Sequence, residues 1–576
     1  MKPIFILTLL LLMSCCVSAT QTILGDSVYE INNKILVKTK DGAEISAMMV
    51  RKKDAAAAAL PVILQYTIYV NHERDLSSLK LIADNGYVGV IAYTRGKNLS
   101  SSEIVPYEYD GRDANDVIDW ISKQSWCNGK IGMYGGSYNA FTQWAAAKYA
   151  HPALKTIISA AAGGPGMGLP MENNIFINPN YQWAFYVTSN KTLDNDVNDD
   201  RERFNTMQNK WWESGAAYRQ IDSIDGTPNK WLQRWLQHPS YDKYWQDMVP
   251  YKTDFSKINV PVLAIDGYYN DSQLSGLYYL REYAKYNKNA EQYLILGPYG
   301  HFGAQIGGEA EVNEYKVDPV SLIDFRAMRF EWFNYILKSG KKPDFLKDKV
   351  NYEVMGANQW KHAASLDKIS NSSLTFYLSD NLLKDNYQLV ENKPNKSGFV
   401  NQEVDFKERT AMNGGFYPYP IVKPELDKGN GLSFISEPLE NATEIAGAFE
   451  GQIKASINKK DMDISIAIYE LMPNGEYFQL SYYVGRASYA KNREKRLLLK
   501  PNKVETIPVS NSRLVVRQMA LGSRLVLVLN VIKNSAYQIN YGTGNEVSDE
   551  SIADAKTPLK VKWFNNSYIK IPIQKN

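Results

Sequence analysis

The chain reads as an α/β protein followed by an all-β domain: a mostly parallel sheet with helices on both faces, a helical cap inserted into it, and a C-terminal β-sandwich. Three changes of hydrophobic period along the 576 residues carry this expectation. From about residue 28 to 160, strand-length apolar runs alternate with helical ones. Between about 165 and 255 the pattern becomes irregular, helical and crowded with tryptophans. Beyond about residue 350 the period is two, with turn residues between the runs.

Each element has a local reason. Ile45 to Val50, Leu60 to Tyr66, Tyr87 to Tyr93, Ile131 to Tyr134 and Ile157 to Ala161 are the strand-like runs, with helices such as Asp113 to Lys123 between several of them. Val260 to Ile265 and Tyr293 to Leu296 resume the sheet after the cap, and each ends in a Gly-containing loop. Leu374/Phe376/Leu378, Ile464/Ile466/Ile468 and Leu525/Leu527/Leu529 alternate as sandwich strands do. The expected organisation is a signal peptide at 1–19, the α/β core at 20–164 and 256–345, the cap at 165–255, and the β domain at 346–576.

Lys2, the apolar run Ile4 to Met13 and the small residues Val17-Ser18-Ala19 have the order of an export signal cut after Ala19, so the mature protein is expected in the periplasm or secreted. Leu12-Met13-Ser14-Cys15 also resembles a lipobox, which offers lipid attachment through Cys15 as a second expectation. No later segment is apolar enough to span a bilayer. After cleavage only Cys127 remains, so no internal disulfide is available.

Composition excludes several classes of function. With 44% hydrophobic and 22% charged residues the chain is ordinary globular material. Its 65 basic and 62 acidic residues are interspersed, which leaves no basic stripe for a nucleic acid. Its 5 histidines are scattered without metal-ligand spacing, and no cofactor motif is present. The 39 tyrosines suit either a pocket for an uncharged organic or carbohydrate-like ligand or a Tyr-rich all-β section, and the expected partner is a small-molecule or short-peptide substrate.

The chemistry centres on Ile131-Gly132-Met133-Tyr134-Gly135-Gly136-Ser137-Tyr138-Asn139, an apolar strand running through small residues into a serine and then a helix. This is the pattern of a nucleophile elbow, in which a tight strand-to-helix turn holds the serine hydroxyl above the sheet. A phosphate loop would need a Lys that is missing here. A tight turn with no catalytic purpose is the plainer alternative, and Asn139 stands where the motif usually has a second Gly.

A serine nucleophile needs a base and an acid, in the chain order Ser, acid, His, at the carboxyl ends of parallel strands. Gly297-Pro298-Tyr299-Gly300-His301 follows one such strand, and His301 is the candidate base. His72 and His151 come before the acid loop, His238 lies in the cap, and His362 begins the β domain. Asp266-Gly267-Tyr268-Tyr269-Asn270-Asp271 ends the preceding strand and holds the acid. Asp271 is the expected acid with Asn270 as the alternative, because an Asn can orient a histidine but cannot balance its charge, a swap that costs about 10⁴ in kcat in a serine protease.

Trp126 to Tyr138, Gly267-Tyr268-Tyr269 and Gly297 to His301 together resemble the X-Pro dipeptidyl-peptidase and cocaine-esterase-like hydrolases. That group includes glutaryl-cephalosporin acylases and α-amino-acid ester hydrolases. The resemblance spans nearly the whole mature chain, through Arg95-Gly96, Pro106-Tyr107-Glu108, His238 to Asp242 and Phe434 to Leu439. It implies an α/β-hydrolase core, an inserted helical cap and a C-terminal jelly roll. It also implies an oxyanion hole made of the Tyr69 hydroxyl and the Tyr138 backbone N–H, although Ile68 stands where the family has Pro. The family's acid position matches Asn270.

The expected activity is hydrolysis of an ester or amide through an acyl-enzyme at Ser137. For dipeptide release an anionic subsite is required, and the cap has carboxylates such as Glu172, Asp194 and Asp199. A rival expectation is a degraded hydrolase that only binds a glycan or peptide, motivated by Asn139, Asn270 and Ile68. The retained Ser137 and His301 weigh against it.

Overall fold

The computed structural model describes residues 26–55, 58–414 and 417–575. The expected export signal and Cys15 lie outside them. The first part of the core contains β1 (Tyr29–Lys38), β2 (Glu44–Lys52), β3 (Leu60–Thr67), β4 (Val88–Tyr93), β5 (Cys127–Gly136) and β6 (Leu154–Ala160). Helices α1 (His72–Asp84), α2 (Asp110–Ser122) and α3 (Tyr138–Ala147) connect them.

The cap opens with the short hairpin β7 (Met171–Glu172) and β8 (Ile175–Phe176). Helices α4 (Pro179–Thr188), α5 (Asn195–Asp199), α6 (Arg201–Ser214), α7 (Ile221–Asp225), α8 (Lys230–Trp235) and α9 (Lys243–Met248) follow. Trp211, Trp212, Trp231, Trp235 and Trp245 are buried in its interior. The core then resumes with β9 (Val262–Gly267), α10 (Gln273–Tyr286), β10 (Gln292–Gly297) and α11 (Gly303–Ile306). The hairpin β11 (Glu311–Val312) and β12 (Tyr315–Lys316) precedes α12 (Phe325–Lys338).

The core sheet has the order β1-β2-β4-β3-β5-β6-β9-β10 and then β13 (Val350–Val354) and β14 (Gln359–Ala363). From β4 to β13 every neighbouring pair is parallel. Buried on both faces, β4 and β9 are wholly enclosed, as their continuous apolar runs require. Strand alternation sends Met133 toward α2, α3 and α10, and Tyr134 toward α1 and α12.

One placement differs from expectation. Residues 350–363, including His362, were expected to begin the β-sandwich, but β13 pairs in parallel with β10, and β14 pairs antiparallel with β13. A period of two identifies a strand but carries no information about which sheet it joins, and all five residues of β13 are buried. The remaining strands, from Ser372 to Gln574, form a separate sheet of 14 strands. Nearly all its pairings are antiparallel, with Asn386–Val390 beside Leu432–Ile435 the parallel exception. The fold is an α/β-hydrolase core with an inserted cap and a C-terminal all-β domain.

Candidate active site

At the end of the central strand β5, Ser137 takes φ 60° and ψ −123°. A residue with a β-carbon holds such angles at a cost of about 1–3 kcal/mol, and only where its surroundings enforce them. Here the Ser137 N–H donates to Ala160 at 3.0 Å, and its carbonyl accepts from Gly163, Ala140 and Phe141, each at 3.1 Å. A serine at a helix N-cap ordinarily uses its hydroxyl to cap the helix. Ser137 makes no such bond, and its hydroxyl lies within hydrogen-bonding reach of the Tyr69 hydroxyl instead.

Asn139 has a clear steric place. Gly135 has φ 148°, and a β-carbon on it would meet the Asn139 β-carbon at 2.5 Å. The turn therefore needs a missing side chain on one side only, and Gly135 supplies it. On Gly136 a β-carbon would collide with the Gln305 side chain.

His301 comes four residues after β10. Its Nδ1 lies 2.8 Å from Asn270 Oδ1 and 2.9 Å from Asp271 Oδ1, so both acid candidates reach the same nitrogen. The Asn270 amide is oriented by its other bonds: its NH₂ donates to Asp266 Oδ1 at 2.7 Å, and its oxygen accepts from Ser272 N–H at 3.2 Å. Two oxygens facing Nδ1 require the hydrogen there, which leaves Nε2 as the acceptor. Burial alone would lower the His301 pKa, but the charge and hydrogen bond of Asp271 and the charge of Asp266 outweigh it, so the pKa is raised. For Asp271, burial works upward and is outweighed by His301 and Arg513, so its carboxyl is held below the usual range.

Asp271 is half exposed, and it lines both the cavity of Ser137 and an adjoining one, so its open surface faces these chambers. Its loop is anchored by the β domain. Arg513 donates to the Asp271 carbonyl at 2.9 Å, while Gln273 exchanges hydrogen bonds with the Leu514 backbone at 2.9 and 2.7 Å.

Of the cap carboxylates, Glu172 is buried in a two-bond ion pair with Arg513, at 2.6 and 2.9 Å. Asp194 caps α5 through Val197 N–H, and Asp199 accepts from Asn198. None of the three lines the cavity of Ser137.

On the other side of Ser137, the Tyr69 hydroxyl accepts from Trp183 Nε1 at 3.0 Å, Tyr69 N–H donates to Thr67 Oγ1 at 2.9 Å, and Arg74 donates to the Tyr69 carbonyl at 2.9 Å. These bonds set the direction of Tyr69 with Ile68 fully buried beside it. Burial pushes the Tyr69 pKa up to about 12, which keeps the hydroxyl a donor. Tyr138 is the first residue of α3, so its N–H has no acceptor within the helix. Its side chain is tied down by a short hydrogen bond to buried Asp110, and the Tyr107 N–H donates to both, at 2.9 Å to the Tyr138 hydroxyl and 3.0 Å to Asp110.

Ser137, His301, Asp271, Tyr69 and Tyr138 all line one cavity of about 970 Å³. The arrangement presents a hydroxyl, a histidine whose Nε2 is left to accept, and two donors on the same cavity, which is the equipment for acyl transfer. Sequence reasoning missed Asp266 as a partner of Asn270, Trp183 as a support for Tyr69, and Arg513 as the brace of the acid loop. Asp266 had a signal, since a buried Asn amide needs an acceptor. The other two come from residues 114 and 242 positions away from those they touch, and local pattern carries no such pairing.

Residues 41–303 match the X-Pro dipeptidyl-peptidase (S15) family, and residues 346–552 match the X-Pro dipeptidyl-peptidase C-terminal non-catalytic domain. Over 570 residues the chain is 21% identical to the cocaine esterase of Rhodococcus sp. (strain MB1 Bresler), covering 93% of this chain and 96% of that protein. An α-amino acid ester hydrolase of known structure superposes with a TM-score of 0.78 at 18% identity, over 98% of this chain and 100% of the other. An aminopeptidase from the marine sediment archaeon Thaumarchaeota archaeon gives 0.79 at 18% identity, over 95% and 97%. At such identities these two likenesses establish the fold.

Proposed function

The chain belongs to the X-Pro dipeptidyl-peptidase (S15) and cocaine-esterase-like family of hydrolases, and from that premise we propose that it is an exported serine hydrolase acting through an acyl-enzyme at Ser137. The observation that carries this reading is Ser137 in its strained turn, sharing a cavity with a His301 whose Nδ1 is held by Asn270 and Asp271.

In the proposed mechanism His301 Nε2 takes the Ser137 proton as the hydroxyl attacks the substrate carbonyl. Asp271 stabilises the imidazolium, and Asn270 keeps the ring in the tautomer with Nδ1 protonated. The Tyr69 hydroxyl and Tyr138 N–H receive the developing oxyanion. His301 then returns the proton to the leaving alcohol or amine, and water releases the acyl group by the same path.

The proposed substrate is an ester or amide of a small acyl, aminoacyl or dipeptidyl group. Ester or acyl-amide cleavage is favoured over dipeptide release because Glu172 is committed to Arg513 and Asp194 and Asp199 lie elsewhere. Export, to the periplasm or outside, is proposed from Lys2, Ile4 to Met13 and Val17 to Ala19, with lipid attachment at Cys15 as the second route.

Fluorophosphonate labelling of the folded protein, with Ser137→Ala as control, tests the nucleophile; an unlabelled Ser137 refutes it. A panel of p-nitrophenyl esters, glutaryl amides, amino-acid esters and X-Pro anilides then ranks the substrate classes by kcat/KM.

A further inference from the structure

We propose that Arg329, on α12, anchors an anion-binding subsite in the cavity of Ser137, and that the substrate carries a carboxylate at the end of an apolar chain. The inference rests on the hydrolase reading for the position of the reacting bond.

Most of the buried and half-buried arginines of this protein are matched to carboxylates. Arg95 pairs with Asp113, Arg486 with Asp463, Arg513 with Glu172 and Arg517 with Glu470. Such pairing is the ordinary condition for a charge withdrawn from water. Half-buried Arg409 and Arg493 lack an ion pair but donate to the Tyr541 hydroxyl and the Gly166 carbonyl, whereas the guanidinium of half-buried Arg329 has, among the described residues, neither an ion pair nor a hydrogen bond. It lies 4.2 Å above the centre of the Tyr134 ring. Asp324, whose charge acts on Arg329 from the start of the same helix, is occupied in capping α12, accepting from the Arg326 and Ala327 N–H groups at 2.8 and 3.2 Å.

The cavity as a whole has the same bias. Arg74, Arg326 and Arg329 line it, and the one acid among its described lining residues is Asp271, already engaged by His301. A guanidinium stacked on an aromatic face keeps its edge N–H groups for a planar partner, and a carboxylate matches that fork with two parallel bonds.

Position sets the length of the ligand. Tyr134 precedes Ser137 by three residues on β5, a rise of roughly 10 Å. The anionic group is therefore several bonds from the scissile carbonyl. Ile158, Ile265 and Phe325 line the same cavity and offer an apolar wall for the intervening chain.

The test compares p-nitrophenyl hydrogen adipate with neutral p-nitrophenyl hexanoate, which puts the carboxylate on the acyl side, and 5-carboxypentyl acetate with hexyl acetate, which puts it on the leaving group. For wild type, one anionic ester of the two pairs is expected to exceed its neutral partner in kcat/KM. In Arg329→Met that ratio is expected to fall roughly ten- to hundredfold, chiefly through KM, as for loss of a charge-assisted hydrogen bond. Arg329→Gln, which keeps a donor and an apolar stem, carries the same comparison if Arg329→Met does not fold. Ratios equal in wild type and variant overturn the subsite.

Calorimetric titration of monomethyl adipate into Ser137→Ala, with and without Arg329→Met, reads the same site without turnover. Binding lost with Arg329 supports the proposal, and equal binding overturns it. Failure of Ser137 labelling would count against the hydrolase reading alone.

Discussion

The side-chain amide of Asn270 donates to Asp266 Oδ1 across 2.7 Å, and both residues are buried at the end of β9. Asp266 also accepts from the Gly267 N–H at 2.8 Å. Burial pushes its pKa up to about 6 against those bonds. The consequence falls on the other end of Asn270, whose oxygen is thereby turned toward His301. Asn270 is thus placed to orient the His301 ring, with the carboxylate of the neighbouring Asp271 on the same nitrogen.

That division of labour predicts different losses for the two residues. Asp271→Asn is expected to lower kcat by roughly 10² to 10⁴-fold on a good substrate, with KM little changed. A loss within about threefold would remove Asp271 from its role.

Asn270→Ala is expected to act on stability as well as rate. It leaves Asp266 buried without its amide donor, at a cost of about 1–3 kcal/mol. Denaturant midpoints for Asn270→Ala and the Asp266→Asn/Asn270→Ala double variant check this. If Asp266 is the reason for the loss, neutralising it recovers part of the stability.

The pH profile follows from the raised pKa of His301. A general base works when neutral, so kcat/KM rises as pH climbs through that pKa. Because Asp271 contributes the raise, Asp271→Asn lets the proton leave at lower pH. The acid limb of kcat/KM is expected to shift downward in that variant even as the plateau falls, and an unmoved limb would show that Asp271 does not act on His301.

Tyr69→Phe is expected to lower kcat by roughly 10² to 10³-fold, the usual cost of one oxyanion donor. Trp183→Phe should lower it less, since it removes the bond that aims Tyr69 and leaves the hydroxyl in place. Single-turnover acylation rates for the two variants distinguish donor from support.

Gly135→Ala should disable the elbow, through its φ of 148° and the collision with the Asn139 β-carbon. Adding Asn139→Gly removes the collision but not the backbone strain, so Ser137 labelling is expected to recover in part. Full independence of the two substitutions in a double-mutant cycle would contradict the contact.

The local parts of this protein could be read from its residues alone. The period of two or near four separated core, cap and β domain, because side-chain direction follows the geometry of strand and helix within a few residues. That Ser137, His301 and Asp271 meet at one cavity was legible for a related reason: parallel strands end in loops on one side, so chain order and strand ends narrow the search.

Contacts between residues distant in the chain belong to the folded molecule. Folding set β13 and β14 against the core sheet, aimed Tyr69 with a cap tryptophan 114 residues away, and braced the Asp271 loop with Arg513 from the β domain. It also put both Asn270 and Asp271 on the same nitrogen of His301. Periodicity fixes which face a residue occupies, whereas a hydrogen bond depends on a few tenths of an ångström between groups that only the folded chain brings together.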